Sequence, residues 1–153
     1  MPPGVPLTIA PTDNLAAIDV GSNAIRMVIG ALDSMGEIQV LKKYREGIRL
    51  GKDAFSQGEI SKKSVERTIE TFAKFKDLLR DHRVKHVRAV GTSALRESSN
   101  SKGLVEAVLK ESGISIEVID GLEEGRLIFS AVAGRIELEG KRTALIDIGG
   151  GSV

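Results

Sequence analysis

The end of the chain, residues 143–153, reads T-A-L-I-D-I-G-G-G-S-V and sets one carboxylate, Asp147, inside an apolar run. A short apolar run that stops at glycines is typical of a buried strand. The turn that follows has few side chains, so successive backbone N–H groups can face a bound phosphate. The sequence therefore predicts a strand over 141–148 that delivers Asp147 to a phosphate loop made of Gly149, Gly150, Gly151 and Ser152.

The same pattern occurs once earlier in the chain. Residues 17–22 read A-I-D-V-G-S, and residues 145–150 read L-I-D-I-G-G, about one domain length further on. One explanation is chance, since many buried strands end in glycine. The other is a duplicated fold whose two strand–Asp–turn units face each other as a phosphate clamp. Asp19 and Asp147 would then be available to a divalent cation. Mg²⁺ prefers such a site, in which one or two carboxylates and the oxygens of the substrate bind the metal.

The composition limits the possible classes of protein. The chain has 153 residues, 41% hydrophobic and 28% charged, which suits one domain, or one domain with part of another. Cysteine is absent, so a disulfide scaffold and thiol chemistry are excluded, and we expect a cytoplasmic protein. The net charge of +1 gives no sign of nucleic-acid binding. No apolar run approaches the roughly 20 residues of a membrane helix, so we expect no membrane partner.

The order of predicted elements indicates an α/β fold. Residues 1–14 are proline-rich and are predicted to be a disordered arm, and residues 48–59 a loop. Strands are predicted at 15–20, 24–33, 37–45, 85–90 and 114–119, and helices at 60–82, 94–112 (broken near 100–103) and about 120–134. Hairpins followed by alternating helices and strands favour a mixed five-stranded sheet with an antiparallel opening meander and helices on its faces.

Four segments together resemble one enzyme family. They are A-A-I-D-V-G-S-N-A-I-R (16–26), V-G-T-S-A-L-R-E-S-S-N (90–100), I-D-G-L-E-E-G-R-L-I-F (119–129) and I-D-I-G-G-G-S (146–152). Their order and spacing are similar to those of the exopolyphosphatase/guanosine pentaphosphate phosphohydrolase family, within the actin, Hsp70 and sugar-kinase superfamily. The resemblance implies ribonuclease-H-like domains around a cleft. There, Mg²⁺- or Mn²⁺-assisted hydrolysis would remove a terminal phosphate from polyphosphate, from the stringent-response alarmone guanosine pentaphosphate, or from both.

The resemblance also implies residue roles. Glu124 would activate the attacking water, Asp147 and Asp19 would serve the metal, and Arg96 would meet a phosphate. The phosphate loops would be Ser22 with Asn23, and residues 149–152. Two departures, Ala24 and Gly125, remove a hydroxyl contact and weaken a helix start.

The same resemblance implies a division into domains. Residues 15–138 would form the N-terminal ribonuclease-H-like domain, and 141–153 the first strand and loop of a second. We expect such a fragment to have little activity alone, and the full-length enzyme to be a homodimer. Without a neighbouring sheet, the segment 141–148 could lie on the first domain, exchange between chains or stay disordered.

Several candidate residues also have an ordinary structural explanation. Glu123 fits a capping box with Asp120, whereas Glu124 points about 100° away around the helix and has no such role. The two aspartates could cap the turns that follow them, and Arg96 could pair with Glu97. A basic run at Arg80, His82, Arg83, Lys85, His86 and Arg88 is either a solvated helix end or a polyphosphate track.

Two other functions remain open from the residues alone. A kinase or ATPase of the same superfamily would need an adenosine pocket, and its base would lie elsewhere. A regulatory module would bind phosphate-rich ligands without turning them over. The E-E-G-R-L start of the last helix favours the hydrolase.

Overall fold

Alternating apolar residues build the central sheet. The computed structural model describes residues 13–136 and 142–150. Its five strands are β1 (Asn14–Val20), β2 (Ile25–Leu32), β3 (Ile38–Glu46), β4 (Val84–Gly91) and β5 (Ile116–Val118). The strand order is β3-β2-β1-β4-β5; β1, β2 and β3 pair antiparallel, and β4 and β5 run parallel to β1. The predicted mixed sheet with an antiparallel opening meander is confirmed.

Five helices accompany the sheet in the described residues. They are α1 (Leu50–Gln57), α2 (Lys62–Asp81), α3 (Ser93–Arg96), α4 (Ser101–Ser112) and α5 (Gly121–Ala133). The ends of several helices follow from their capping residues. The Ser61 side chain accepts a hydrogen bond from the Ser64 N–H at the start of α2, and Gly113 ends α4 in the left-handed conformation. None of the described helices is long and apolar enough to cross a membrane.

The core lies on one face of the sheet. Every second residue of β1 and β2 is buried there, and α2 and α4 cover these positions with Phe72, Phe75, Leu79, Leu104 and Val108. The opposite face carries Ala17, Asp19, Arg26 and Arg88, which are partly or largely exposed. Helix α5 has no buried residue. The polar ends of β1 and β4 on this second face are where the candidate site lies.

Two predictions about helical segments differ from the structure. The loop predicted over 48–59 contains helix α1, an eight-residue helix that starts after Arg49 in the left-handed conformation and ends at Gly58. The single broken helix over 94–112 is two helices separated at 97–100, where the Asn100 side chain pairs with both backbone groups of Ile60. This bidentate amide contact fixes Asn100 outside the helix.

The predicted disordered arm extends too far. Asn14 already pairs in β1, and Asp13 is buried and forms an ion pair with Lys85 at 2.6 Å. The remainder of the arm, 1–12, lies outside the described residues, as do 137–141.

The strand predicted over 141–148 is also wrong where the structure describes it. Residues 142–150 have no regular secondary structure, because a strand needs a hydrogen-bonded neighbour and none of the described strands pairs with them. The segment lies beside the loop that follows β1 instead. The proposed division into two domains stays a prediction.

Candidate active site

The loops after two parallel strands meet at one edge of the sheet. Val20 ends β1 and lies beside Gly91, which ends β4. The Thr92 N–H donates to the Val20 carbonyl at 3.4 Å, and the hydroxyls of Ser22 and Ser93 are 3.0 Å apart. Both serines are buried. The carboxyl ends of parallel strands are the usual place for ligands in α/β folds, and here the serine pair fixes the two loops to each other.

Helix α1 supports the first of these loops from behind. The Gly51 N–H donates to the Ser22 carbonyl at 2.8 Å, and the Arg49 N–H donates to the Asn23 carbonyl at 3.2 Å. Within the described residues, the N–H groups of Ser22 and Asn23 have no acceptor. The loop therefore turns its carbonyls towards α1 and leaves two backbone donors available to an anion.

The start of helix α5 brings Glu124 to the same edge. The Asp120 side chain accepts from the Glu123 N–H at 2.8 Å and caps the helix, as predicted. The Ile119 N–H donates to the Gly91 carbonyl at 3.0 Å, so the cap is tied to the end of β4. One turn into the helix, Glu124 faces a cavity between α5 and the sheet.

Arg96 holds the Glu124 carboxylate. Its Nη1 is 3.2 Å from Glu124 Oε2 and also donates to the Ile119 carbonyl at 3.0 Å. The two side chains are only 28% and 21% exposed, so this ion pair is partly shielded from water. Arg96 also contacts Glu97, with Nε 3.5 Å from Oε1, so the structural alternative for Arg96 is present beside the functional one.

The neighbouring Glu123 has a different set of partners. Its carboxylate accepts two hydrogen bonds from Arg126, at 2.6 and 2.8 Å, and one from Arg88 at 3.3 Å. The Arg126 hydrogen bond, with help from Arg88, lowers the pKa of Glu123 from 4.5 to about 2. The predicted capping box is thus formed only in part, because the Glu123 backbone meets the cap while its side chain binds arginines.

Both aspartates of the repeated motif line one cavity of about 500 Å³, together with Glu124. Asp19 pairs with Arg26, its register neighbour on β2, with Oδ2 and Nη1 3.1 Å apart. Asp147 approaches from the segment 142–150. A second cavity of about 370 Å³ adjoins the first, and Glu124 and Asp147 line both.

The two predicted phosphate loops also meet at this cavity. Gly149 and Gly150 line it opposite Ser22 and Asn23. A Cβ on Gly150 would lie 2.6 Å from the Asn23 side-chain nitrogen, so a larger residue there would displace the Asn23 side chain. Gly151 and Ser152 lie outside the described residues.

Not every predicted contact is available in the same way. The Ser22 hydroxyl is engaged by Ser93, so its backbone N–H is the freer donor. Thr92, Ser93 and Arg26 also line the cavity, although the sequence assigned none of them to the site and left Arg26 open between the site and a solvent-facing strand position. The G-T-S turn after β4 signalled the first two, whereas the Arg26–Asp19 pairing follows from the strand register.

The basic run predicted as a solvated helix end or a polyphosphate track is mostly neutralised. Arg80 pairs with two aspartates of α2, and His82 hydrogen-bonds the Tyr44 hydroxyl at 3.1 Å. Lys85 and His86 both contact Asp13. Arg88 bonds Glu117 and Glu123. Five of the six residues therefore have protein partners, and among the described contacts Arg83 is the member of the run with no side-chain partner.

The donor set around the cavity suits a hard divalent cation such as Mg²⁺ or Mn²⁺. Two carboxylates, Asp19 and Asp147, line it from different segments. Within the described residues no three acidic, histidine or cysteine side chains cluster as a complete cage. Mg²⁺ commonly takes one or two carboxylates and completes its shell with water and substrate phosphate oxygens, so these residues fit that arrangement.

The fold, with this cavity at the carboxyl ends of its strands, is that of a domain of the actin/Hsp70 type. The sequence profile of the Ppx/GppA phosphatase family matches residues 28–153, which is most of the chain. The chain therefore belongs to this family, and the resemblance of its four motifs to the exopolyphosphatase/guanosine pentaphosphate phosphohydrolases is confirmed.

Individual relatives are similar over most of the chain. A guanosine-5'-triphosphate,3'-diphosphate pyrophosphatase of Photobacterium profundum is 35% identical over 137 residues, which cover 90% of this chain and 27% of the relative. Exopolyphosphatase 1 of Mycobacterium leprae is 30% identical over 139 residues, 91% of this chain and 41% of the relative. The crystal structure of an exopolyphosphatase from Cytophaga hutchinsonii superposes with a TM-score of 0.78 at 34% identity, covering 83% of this chain and 40% of that one.

These matches also show how the length of the chain compares with that of its relatives. It spans between about a quarter and two fifths of the length of the curated relatives it matches. What those relatives act on is therefore carried to this chain only as a proposal.

Proposed function

We propose that the protein carrying this chain is a phosphohydrolase that removes the terminal phosphate from linear polyphosphate, from guanosine pentaphosphate, or from both. The observation that carries the proposal is the position of Glu124. Arg96 holds its carboxylate on the wall of a cavity. The loops after Asp19 and Asp147 both line this cavity. The names of the two curated relatives supply the two substrate classes.

The reaction needs a base, charge neutralisation and a fixed phosphate. In our proposal a water oxygen bonds to the terminal phosphorus while the bond to the bridging oxygen of the next phosphate breaks. Glu124 accepts the proton from that water, and the shortened chain leaves with the electron pair. Phosphoryl transfer depends mainly on positioning and electrostatics. The free N–H groups of Ser22 and Asn23, the loop 149–152 and Arg96 would provide both.

The proposal assigns the divalent cation to Asp19 and Asp147. A bound cation would neutralise charge on the phosphates and lower the pKa of coordinated water. Arg26 shares the Asp19 carboxylate, so it would keep that side chain pointed into the cavity. The homodimer and the cytoplasmic location implied by the family stay predictions.

Isotope transfer distinguishes the hydrolase from its alternatives. We expect the complete protein, given polyphosphate or guanosine pentaphosphate and Mg²⁺ in H₂¹⁸O, to release orthophosphate carrying one solvent oxygen. Transfer of ³²P from ATP to a hydroxyl compound would instead identify a kinase. Tight binding of either substrate without release of phosphate would identify a regulatory module, and both of these results would overturn the proposal.

A further inference from the structure

The helix that carries the proposed base is attached to the described fold by polar contacts. No residue of α5 is buried, and Leu122, at its start, is 85% exposed. A helix normally gains its fixed position from a packed apolar face. In the described residues, the first turn of α5 is held by the cap at Asp120 and by two arginines from other elements, Arg88 and Arg96.

Arg88 links three elements through one guanidinium group. It lies on β4, two residues before Val90, which is the register partner of Glu117 on β5. Its Nε and Nη2 are 3.3 and 3.1 Å from Glu117 Oε2, and Nη2 is also 3.3 Å from Glu123 Oε1. The rigid, planar fork of arginine suits such a shared contact, whereas a lysine ammonium is a single point charge.

Arg88 and Arg96 hold successive glutamates from different directions. Arg88 of β4 binds Glu123, and Arg96 of α3 binds Glu124. Neighbouring side chains on a helix point about 100° apart. Two contacts at that angle, on separate supports, restrict both the rotation of α5 about its axis and its distance from the sheet.

We propose that Arg88 is a positioning residue for the reaction: by joining Glu117 to Glu123, it fixes the first turn of α5 and so places the Glu124 carboxylate in the cavity. The inference rests on the proposed function only for its effect on turnover. The inference also gives a role to Arg88, a member of the basic run to which the proposed reaction assigns no direct part. Arg88 is not among the residues that line either cavity, so it acts through Glu123.

The ordinary explanation is a pair of surface ion pairs. Arg88 and Glu117 are about half-exposed, and exposed ion pairs of this kind contribute little to stability. The two explanations therefore agree on the stability of the fold and disagree on turnover. A positioning role predicts a loss in kcat at unchanged stability, because a small displacement of a reacting group is costly to the rate.

Arg126 offers a matched control within the same cluster. It makes the shorter contacts with Glu123, at 2.6 and 2.8 Å, but lies in α5 and so cannot tie the helix to the sheet. We expect Arg88→Met in the complete protein to lower kcat for polyphosphate about tenfold, with KM changed less than about twofold. Arg126→Met should stay within about twofold of wild type in kcat. Arg88→Lys should restore part of the loss.

A distance measurement tests the attachment without any turnover. The chain has no cysteine, so spin labels can be placed at Leu122→Cys on α5 and Lys102→Cys on α4, both exposed. We expect the label-to-label distance distribution to broaden with Arg88→Met and to remain narrow with Arg126→Met. Unfolding midpoints of the two variants should match.

Two results would overturn the inference. One is equal losses of kcat in the Arg88 and Arg126 variants, which would show a general charge effect. The other is a distance distribution that Arg88→Met leaves unchanged. If the wild-type protein releases no phosphate, the proposed function fails, and the distance measurement alone then decides whether Arg88 fixes α5.

Discussion

At the scale of single residues, two adjacent glutamates have different surroundings. Glu124 lies at the cavity wall, where Arg96 holds it without closing it off from the cavity. Glu123 comes one residue earlier in the helix, and its carboxylate is bound by Arg126 and Arg88. A base must have a free oxygen facing its water, so we propose Glu124 for the chemistry and Glu123 for the attachment of the helix.

The charge of Glu123 should persist in acid. Its pKa is lowered from 4.5 to about 2, first by the Arg126 hydrogen bond and then by Arg88. Because the folded-state pKa is the lower one, the pairing stabilises the fold above about pH 4.5 and loses that effect as the pH falls through about 2. A ¹³C NMR titration of the Glu123 carboxyl should show this midpoint.

The substitution Arg126→Met removes the larger of the two causes of the lowered Glu123 pKa. It should move the midpoint of Glu123 upward, towards 4.5. A midpoint near 4.5 in the unaltered protein would show that these arginine contacts do not persist in solution.

At the scale of elements, helix α1 supports the loop after β1, which we propose as the first phosphate loop. Gly51 packs against this loop so closely that a Cβ would lie 2.7 Å from Ser22 Cβ and 2.8 Å from the Phe55 ring. The Phe55 side chain is exposed and can rotate away, whereas Ser22 Cβ is attached directly to the loop backbone. Any side chain at position 51 must therefore move the loop that offers N–H groups to phosphate.

We expect Gly51→Ala to destabilise the fold by about 1–3 kcal/mol, the usual cost of overpacking, and to raise KM for polyphosphate. Gly103→Ala in α4 is the control, since a Cβ there meets nothing within 4 Å. That change should stabilise the fold by about 0.5–1 kcal/mol, as alanine does in place of an exposed helical glycine. Denaturant unfolding measures both, and a stabilising Gly51→Ala would contradict the close contact.

The sheet was predictable from sequence because its strands are short apolar or alternating runs, several of them followed or ended by a glycine, as at Gly21, Gly47 and Gly91. The cap at Asp120 likewise placed the start of α5, and with it Glu124. Helix α1 was not predictable, because eight residues that include Gly51 and bury few apolar side chains resemble a loop. The strand at 141–148 failed for a different reason: an apolar run becomes a strand only where another strand pairs with it.

The arrangement of the site was predictable only in part. The repeated Asp–Gly motif predicted that Asp19 and Asp147 would face each other, and both line the same cavity. The partners of the arginines were not predictable, because ion pairs between Arg88 and Glu123, or Arg96 and Glu124, join elements about 30 residues apart. The sequence therefore offered several alternatives for the basic run, and tertiary contacts chose among them.

At the scale of the whole molecule, the two sides of the cavity differ in how well their apolar side chains are buried. The sheet side is built on a packed core, whereas α5 and residues 142–150 expose Phe129, Ile146 and Ile148. Exposed apolar side chains next to a polar cleft are typical of a binding surface. The chain is shorter than the curated relatives it matches, and for that reason activity is proposed for the complete protein.

The central claim is that Glu124 activates water, and one comparison of rates tests it most directly. Glu97→Gln is the matched control, because Glu97 contacts the same arginine as Glu124 but lies outside both cavities. We measure orthophosphate release from polyphosphate by the complete protein with Mg²⁺. Glu124→Gln should lower kcat by at least about a hundredfold, the usual worth of a general base, while Glu97→Gln stays within about twofold of wild type. A Glu124→Gln variant that keeps the wild-type kcat would contradict the account.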